Sequence, residues 1–236
     1  PMKKLYILAL LILTVVISRA QDIHYSQFYA SPLTLNPALT GINDCNYRAC
    51  INYKNQWHSI SAPTTYTTPS LSFDINNLAA RYIKKGVLSA GMLVLQDQAG
   101  DGNLSNLSIL GSAGYMYTFD AKRIHNVSLG IQTGYVQKKV DPNKLDFEDQ
   151  FNGTDFDHTL SNNEPFAKLG FGYLDFNAGI LYLANISPKY SFYAGGAAFH
   201  LIQPKETFLD NPNSKLGMRM VVHAGGKAKL NDVWSI

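Results

Sequence analysis

Cysteine is nearly absent: Cys45 and Cys50 are the only two in 236 residues, so no disulfide framework organises the chain. Five positions apart on one strand they would face opposite sides, roughly 16 Å apart, whereas a bridge needs Cα atoms within about 7 Å. Both are expected to be unpaired, buried or lipid-facing, unless the strand begins after Cys45. No second cysteine pair and no closely spaced histidine pair follows, which argues against a zinc site. Charge is also scarce, at 16% against the roughly 25% usual in soluble domains. The formal +3 is carried by Lys3, Lys4 and Arg19; the other 17 bases balance 17 acids, so nothing here attracts nucleic acid. Repeated apolar runs of about 20 residues are missing too, which excludes a bundle of membrane helices. What is present instead is Gly (18), Tyr (14), Phe (12) and much Ser, Asn and Thr. That mixture makes strands and turns, and its aromatics exclude disorder.

The apolar run from Leu5 to Ile17 follows Lys3-Lys4 and precedes Ser18-Arg19-Ala20. A charged start, an apolar stretch and small residues at −1 and −3 predict a signal peptide over 1–20, cleaved after Ala20. The run falls short of the roughly 20 residues of a membrane span. Pro1 before Met2 marks Met2 as the expected start, and the mature chain would begin at Gln21 outside the cytoplasm.

From Cys45 onward, long alternating segments are separated by polar turns. Leu107, Ile109, Gly111, Ala113, Tyr115, Tyr117 and Phe119 share one face, against Ser108, Leu110, Ser112, Gly114, Met116 and Thr118. Val127, Leu129, Ile131, Thr133 and Tyr135 repeat the pattern, as do Phe176, Ala178, Ile180, Tyr182 and Ala184. Further strands are expected over Tyr47–His58, Tyr66–Ile75, Val87–Gln98, Phe192–Gln203 and Leu216–Leu230, with Val233–Ile236 opening another. A soluble sandwich uses strands of about 5–6 residues, while an outer-membrane strand needs about 9–11. The segment lengths, the small residues on the second face and the aromatics at strand ends favour an all-β, antiparallel transmembrane β-barrel. Ile109, Ala113, Leu129, Ile131, Ile180 and Tyr182 are expected to face lipid, and arginine at Ile131 should harm more than arginine at Gln132.

Strand parity sorts the connections. Ser59–Thr65, Asp97–Asn103, Lys139–Gly170 and Pro204–Lys215 fall at one end; Asn76–Gly86, Asp120–Asn126, Asn185–Lys189 and Asn231-Asp232 fall at the other. Bacterial barrels keep short turns in the periplasm and longer loops outside, which places the first set outside.

No catalytic constellation is visible. The G-x-S-x-G elbow, a phosphate-binding P-loop and H-E-x-x-H are all absent, and the six histidines are scattered. His200 or His223 with Ser191 could imitate a barrel hydrolase, as chance would allow in any barrel this rich in serine. No enzyme, cofactor or small-molecule substrate is expected. A porin would show rows of opposed charges along its strands. Arg48, Lys54 and Arg219 are the strand bases the pattern places most clearly, which weighs against a charged filter without excluding a channel.

The stretch from Asp141 to Glu164, inside the long connection at about 139–170, carries seven acids and only Lys144 as a base. Phe147, Phe151 and Phe156 are interleaved with them. Calcium ligands are conceivable, but EF-hand spacing is missing. Length and aromatics point to a folded loop that meets a partner or covers the lumen. Residues 21–44 form a separate N-terminal segment. Ser31-Pro32 and Asn36-Pro37 break any long helix, while Phe28, Tyr29, Leu33, Leu35 and Leu39 are too apolar for a free tail. It is either a periplasmic lead-in packed on the barrel rim or a plug in the lumen.

The residues His24-Tyr25-Ser26-Gln27-Phe28-Tyr29-Ala30-Ser31-Pro32-Leu33 and Leu35-Asn36-Pro37-Ala38-Leu39-Thr40-Gly41 resemble the opening of the PorP/SprF family of type IX secretion and gliding motility. The resemblance continues at Phe147–Phe151, Asp175–Tyr182 and His200–Pro204, in order along nearly the whole mature chain. It implies an outer-membrane β-barrel of a Gram-negative bacterium that helps export, or anchor at the surface, proteins bearing a C-terminal sorting domain. Its partners would be outer-membrane lipid, other type IX components and secreted clients, and it brings no known catalytic residues. Family members are longer and barrels usually finish on an aromatic residue, so residues 45–236 are expected to be a C-terminally truncated piece of about eight to nine strands. Candidate partner contacts are Gln27, Phe28, Tyr29, Asn36 and Pro37 in the N-terminal segment, and Asp146, Phe147, Asp149, Phe151 and Phe156 in the acidic loop. The competing function is a passive, porin-like channel.

Overall fold

The computed structural model describes residues 22–57, 65–78, 86–100, 102–161, 163–164, 169–208 and 213–229. Eight strands follow in order: β1 (Tyr47–Gln56), β2 (Tyr66–Ile75), β3 (Gly86–Ala99), β4 (Leu104–Thr118), β5 (His125–Lys139), β6 (Gly170–Ser187), β7 (Tyr190–Phe199) and β8 (Arg219–Ala228). Each pairs antiparallel with the next, giving one sheet of order β1 to β8. None is shorter than 10 residues, the length at which a tilted strand crosses a bilayer. Among the described residues no helix is long and apolar enough to cross a membrane, which has no bearing on crossing by strands.

Alternation fixes the two faces. Along β4, Ser108, Leu110, Ser112 and Gly114 are buried while Ile109, Gly111, Ala113 and Tyr115 are exposed. β5 repeats this, with Ser128, Gly130 and Gln132 buried and Leu129 and Ile131 exposed. The six side chains expected to face outward do so, Ile131 with 64% of its surface open. One face of the sheet is therefore apolar and exposed, the reverse of a soluble protein's economy.

The other face is concave. In a flat sheet, seven steps of about 4.8 Å would set β1 and β8 roughly 34 Å apart. Yet Arg48 of β1 donates to the Leu39 carbonyl at 2.9 Å, and His223 of β8 lies 3.0 Å from the Asn36 carboxamide. Three residues of chain cover at most about 11 Å, so the sheet has to bend around them. It curls into a half-barrel with the N-terminal segment on its inner face.

Three boundaries depart from the alternation. β1 begins at Tyr47, so Cys45 precedes it; both cysteines are free, Cys45 exposed and Cys50 half-buried on the inner side. β7 ends at Phe199 because His200 (φ 58°) and Gln203 (φ 45°) take the left-handed conformation, which no strand continues through. β8 starts at Arg219 instead of Leu216. The leader, His58 and Val233–Ile236 lie outside the described residues.

Candidate functional site

Prolines shape the N-terminal segment. Pro32 and Pro37 each open a short helical turn, Pro32–Leu35 and Pro37–Leu39, at the position where a missing N–H costs nothing. Asn36 caps the second turn, its Oδ1 accepting from the Ala38 N–H at 2.8 Å. Leu33, Asn36 and Ala38 are wholly buried.

The contacts run in level order down the sheet. At the end carrying the 140–169 connection, the His24 carbonyl accepts from Lys54, and the Tyr25 hydroxyl donates to the Thr68 carbonyl at 3.3 Å. Midway, Gln132 donates to the Leu33 carbonyl at 3.2 Å and is held in turn by Asn177 at 3.0 Å. Asn36 donates to the carbonyls of Ile180 and Gly196 at 3.1 and 3.2 Å, bridging β6 and β7. A side chain on Gly130 would run into the backbone of Pro37 and Ala38, and one on Gly179 into Asn36. Close backbone approach is what these glycines allow. Lower still, Ser128 donates to the Ala38 carbonyl at 2.8 Å.

Two charged anchors hold the ends. At the short-turn end Arg48 grips Asp74 with both Nε (2.9 Å) and Nη2 (2.8 Å), and also donates to the carbonyls of Leu39 and Ile42. Asp74, 1% exposed, further accepts from the Gly41 N–H. At the long-loop end, His200 places Nδ1 3.0 Å from Asp175 and Nε2 3.1 Å from Asp22. Arg219 Nε stands 3.0 Å from Asp22, and its guanidinium lies over the Phe199 ring at 4.0 Å. Burial works against a charged His200, but hydrogen bonds to Asp175 and Asp22 prevail and lift it to about 9. Burial likewise pushes Asp22 up, and the His200 hydrogen bond and Arg219 bring it below the ordinary range. With a carboxylate on each nitrogen, His200 donates twice and holds a positive charge. An Asp–His pair of this kind would serve as a base only if its far nitrogen met a nucleophile; here it meets Asp22.

Beside the His200 anchor, reaching to mid-height at Gln132, lies a cavity of about 280 Å³. Its floor is Leu33, Leu93, Leu95, Leu110 and Val136, which with Tyr25 form the principal buried apolar cluster. Asp97, paired to Thr68 at 2.6 Å, and Lys138, paired to Glu206, stand at its long-loop rim.

The 140–169 connection carries structure of its own. Its base joins the β3–β4 connection through Asp141 N–H to the Gly102 carbonyl at 2.7 Å. Phe151 and Phe156 bridge antiparallel with rings 5.2 Å apart, around a tip turned by Asn152 and Gly153. Asp146 meets His158 at 3.3 Å and Asp149 accepts from Asn163 at 2.9 Å. Phe151 is 50% exposed and Phe156 is exposed beside it, while Phe147 is half-buried.

The candidate contacts therefore separate. Gln27, Phe28 and Tyr29 are exposed, whereas Asn36 and Pro37 are buried against β5 to β8. Asp146, Asp149, Phe151 and Phe156 are each exposed on the loop, with Phe151 and Phe156 in contact, Asp146 on His158 and Asp149 on Asn163. The alternation did not single out Asp74, Asp175, His200 or Arg48 as anchors. The signal was there: Asp74 and Asp175 are charges at inward positions of long alternating strands, where an ion is tolerated only with a partner.

Comparison with curated proteins and with solved structures yields no match. The family model described as "Type IX secretion system membrane protein PorP/SprF" matches residues 17–236. With a long-stranded antiparallel half-barrel, apolar outside and tied inside to its own N-terminal segment, the chain belongs to the PorP/SprF family of type IX secretion system membrane proteins.

Proposed function

We propose that the protein is a noncatalytic outer-membrane component of type IX secretion, which supports export or surface attachment of client proteins by docking them and other secretion components. The mature chain would start after cleavage near Ala20 and cross the outer membrane through its strands, with the apolar convex face in lipid and the 140–169 loop outside. The observation that carries this reading over a passive channel is the occupied inner face. Side chains and backbone of all eight strands meet residues 22–41, from Arg48 on β1 to His223 on β8, where a porin needs open water. The exposed Phe151–Phe156 pair among acids offers a docking surface for clients or secretion partners.

Replacing residues 146–157 with a Gly-Ser linker tests it. Outer-membrane fractionation and heat-modifiable gel mobility should persist, while export or surface retention of a client falls. Recovery of the native chain as a soluble periplasmic protein would overturn the localisation. A change in solute permeability with normal export would favour the channel.

A further inference from the structure

We propose that residues 22–41 thread the barrel from end to end, so that the start of this segment stands at the outer surface and its end at the periplasmic face. The proposal rests on the outer-membrane reading for which end is which; the direction of threading comes from the contacts themselves. Asp22 meets His200 and Arg219, and the His24 carbonyl meets Lys54, near the far end of β1. Leu33 lies at mid-height on Gln132. Gly41 reaches Asp74 at the end of β2, and Thr40 sits beside Gly114 toward the end of β4. Arg219 also donates to the Thr34 carbonyl at 3.3 Å, yet the overall course from Asp22 to Gly41 runs from the long-loop end to the short-turn end, so this is a passage through the curl, not a lid on one rim. The chain then leaves at residues 42–46 and returns upward as β1.

Two consequences follow from the anchors. The ion cluster at Asp22 ties the segment's start to β6, β7 and β8, so its exposed neighbour His24 faces the same side as the long loop. Cys45, exposed just before β1, faces the opposite side. A rim-packed periplasmic lead-in would put both on one side.

The full chain in its own outer membrane can decide this with a membrane-impermeant maleimide polymer on intact cells, read as a gel shift. Three reporters are compared: His24→Cys and Thr154→Cys, each in a Cys45→Ser/Cys50→Ser background, and Cys45 itself in Cys50→Ser. Heat-modifiable mobility confirms that each variant has folded. The expected result is labelling of the His24→Cys and Thr154→Cys chains on intact cells, with Cys45 protected until the outer membrane is permeabilised. Labelling of Thr154→Cys with protection of His24→Cys would overturn the threading while leaving the membrane reading standing. Protection of Thr154→Cys with labelling of Cys45 would overturn the orientation, and the proposal with it.

Discussion

Asp22 and His200 meet at 3.1 Å across 178 residues of chain, and the imidazole that joins them is held equally by Asp175 at 3.0 Å. This ion pair fixes the first described residue of the chain to the turn that ends β7, beside the apolar cluster that takes in Ile23 and Tyr25.

The clasp should respond to alkali. His200 is raised in the folded state to about 9, from an ordinary value near 6.5. Its stabilisation is therefore full below about pH 6.5 and is lost as pH rises through about 9. Protection of the N-terminal segment from protease, measured on micelle-solubilised protein, should fall between pH 7 and 10. His200→Gln should show weaker protection at pH 7 and little further change over that window. A steep fall retained in the variant would assign the titration to another group.

Gly130 should not tolerate alanine. Its Cβ would enter the Pro37–Ala38 backbone, an overpacking that costs about 1–3 kcal/mol. Gly111→Ala, whose Cβ would find only the Thr133 carbonyl at 3.8 Å, is the matched control and should be near neutral. Unfolding temperatures of the two variants check this.

Removing the Asn36 carboxamide, as Asn36→Ala, withdraws donors from Ile180 and Gly196 and leaves buried carbonyls to find others. The loss should be about 1–3 kcal/mol. In planar bilayers the native protein should be silent and the variant should show transient openings. Steady conductance by the native protein would mean that residues 22–41 do not seal the barrel.

Arg48→Lys should behave as a disruptive change. A lysine cannot reproduce the fork on Asp74 together with the bonds to Leu39 and Ile42. Leaving Asp74 poorly paired at 1% exposure costs about 3–5 kcal/mol. Refolding yield in lipid, read by heat-modifiable mobility, should drop for Arg48→Lys and drop further for Arg48→Ala.

Ile131→Arg should impair membrane assembly by about 2–4 kcal/mol, the cost of a midplane guanidinium in lipid. Gln132→Arg is not the mild comparison that alternation suggests, because Gln132 is buried between Leu33 and Asn177 and loses both bonds. Asn52→Arg, on the half-buried inner side of β1 with one bond to Ala30, is the better one. Equal damage from Ile131→Arg and Asn52→Arg would mean that the convex face is not in lipid.

Period-two alternation was enough to read the strands and their outward faces, because side-chain direction in a strand is a local property. β2 coincides with its sequence boundaries, and β7 is overrun only where His200 turns the chain. The anchors were not legible for the opposite reason. Asn36 reaches partners 144, 160 and 187 residues away, and no local period reports such distances. The charge on Asp74 could be noticed in the sequence, but that its partner is Arg48 depends on the register of Arg48 against Asp74 across β1 and β2.

The long reach of Asn36 also constrains the order of events in assembly. Residues 22–41 leave the ribosome before any of the eight described strands, yet their partners on β5 to β8 follow 90 to 187 residues later. Contacts so distant in sequence form slowly. Until those strands arrive, Pro37 and Ala38 lack the β5 backbone that lies against them, and Asn36 has no carbonyl of β6 or β7 to meet. A stretch made ahead of its partners is thus completed only after them, and in the interval its apolar residues call for a periplasmic chaperone.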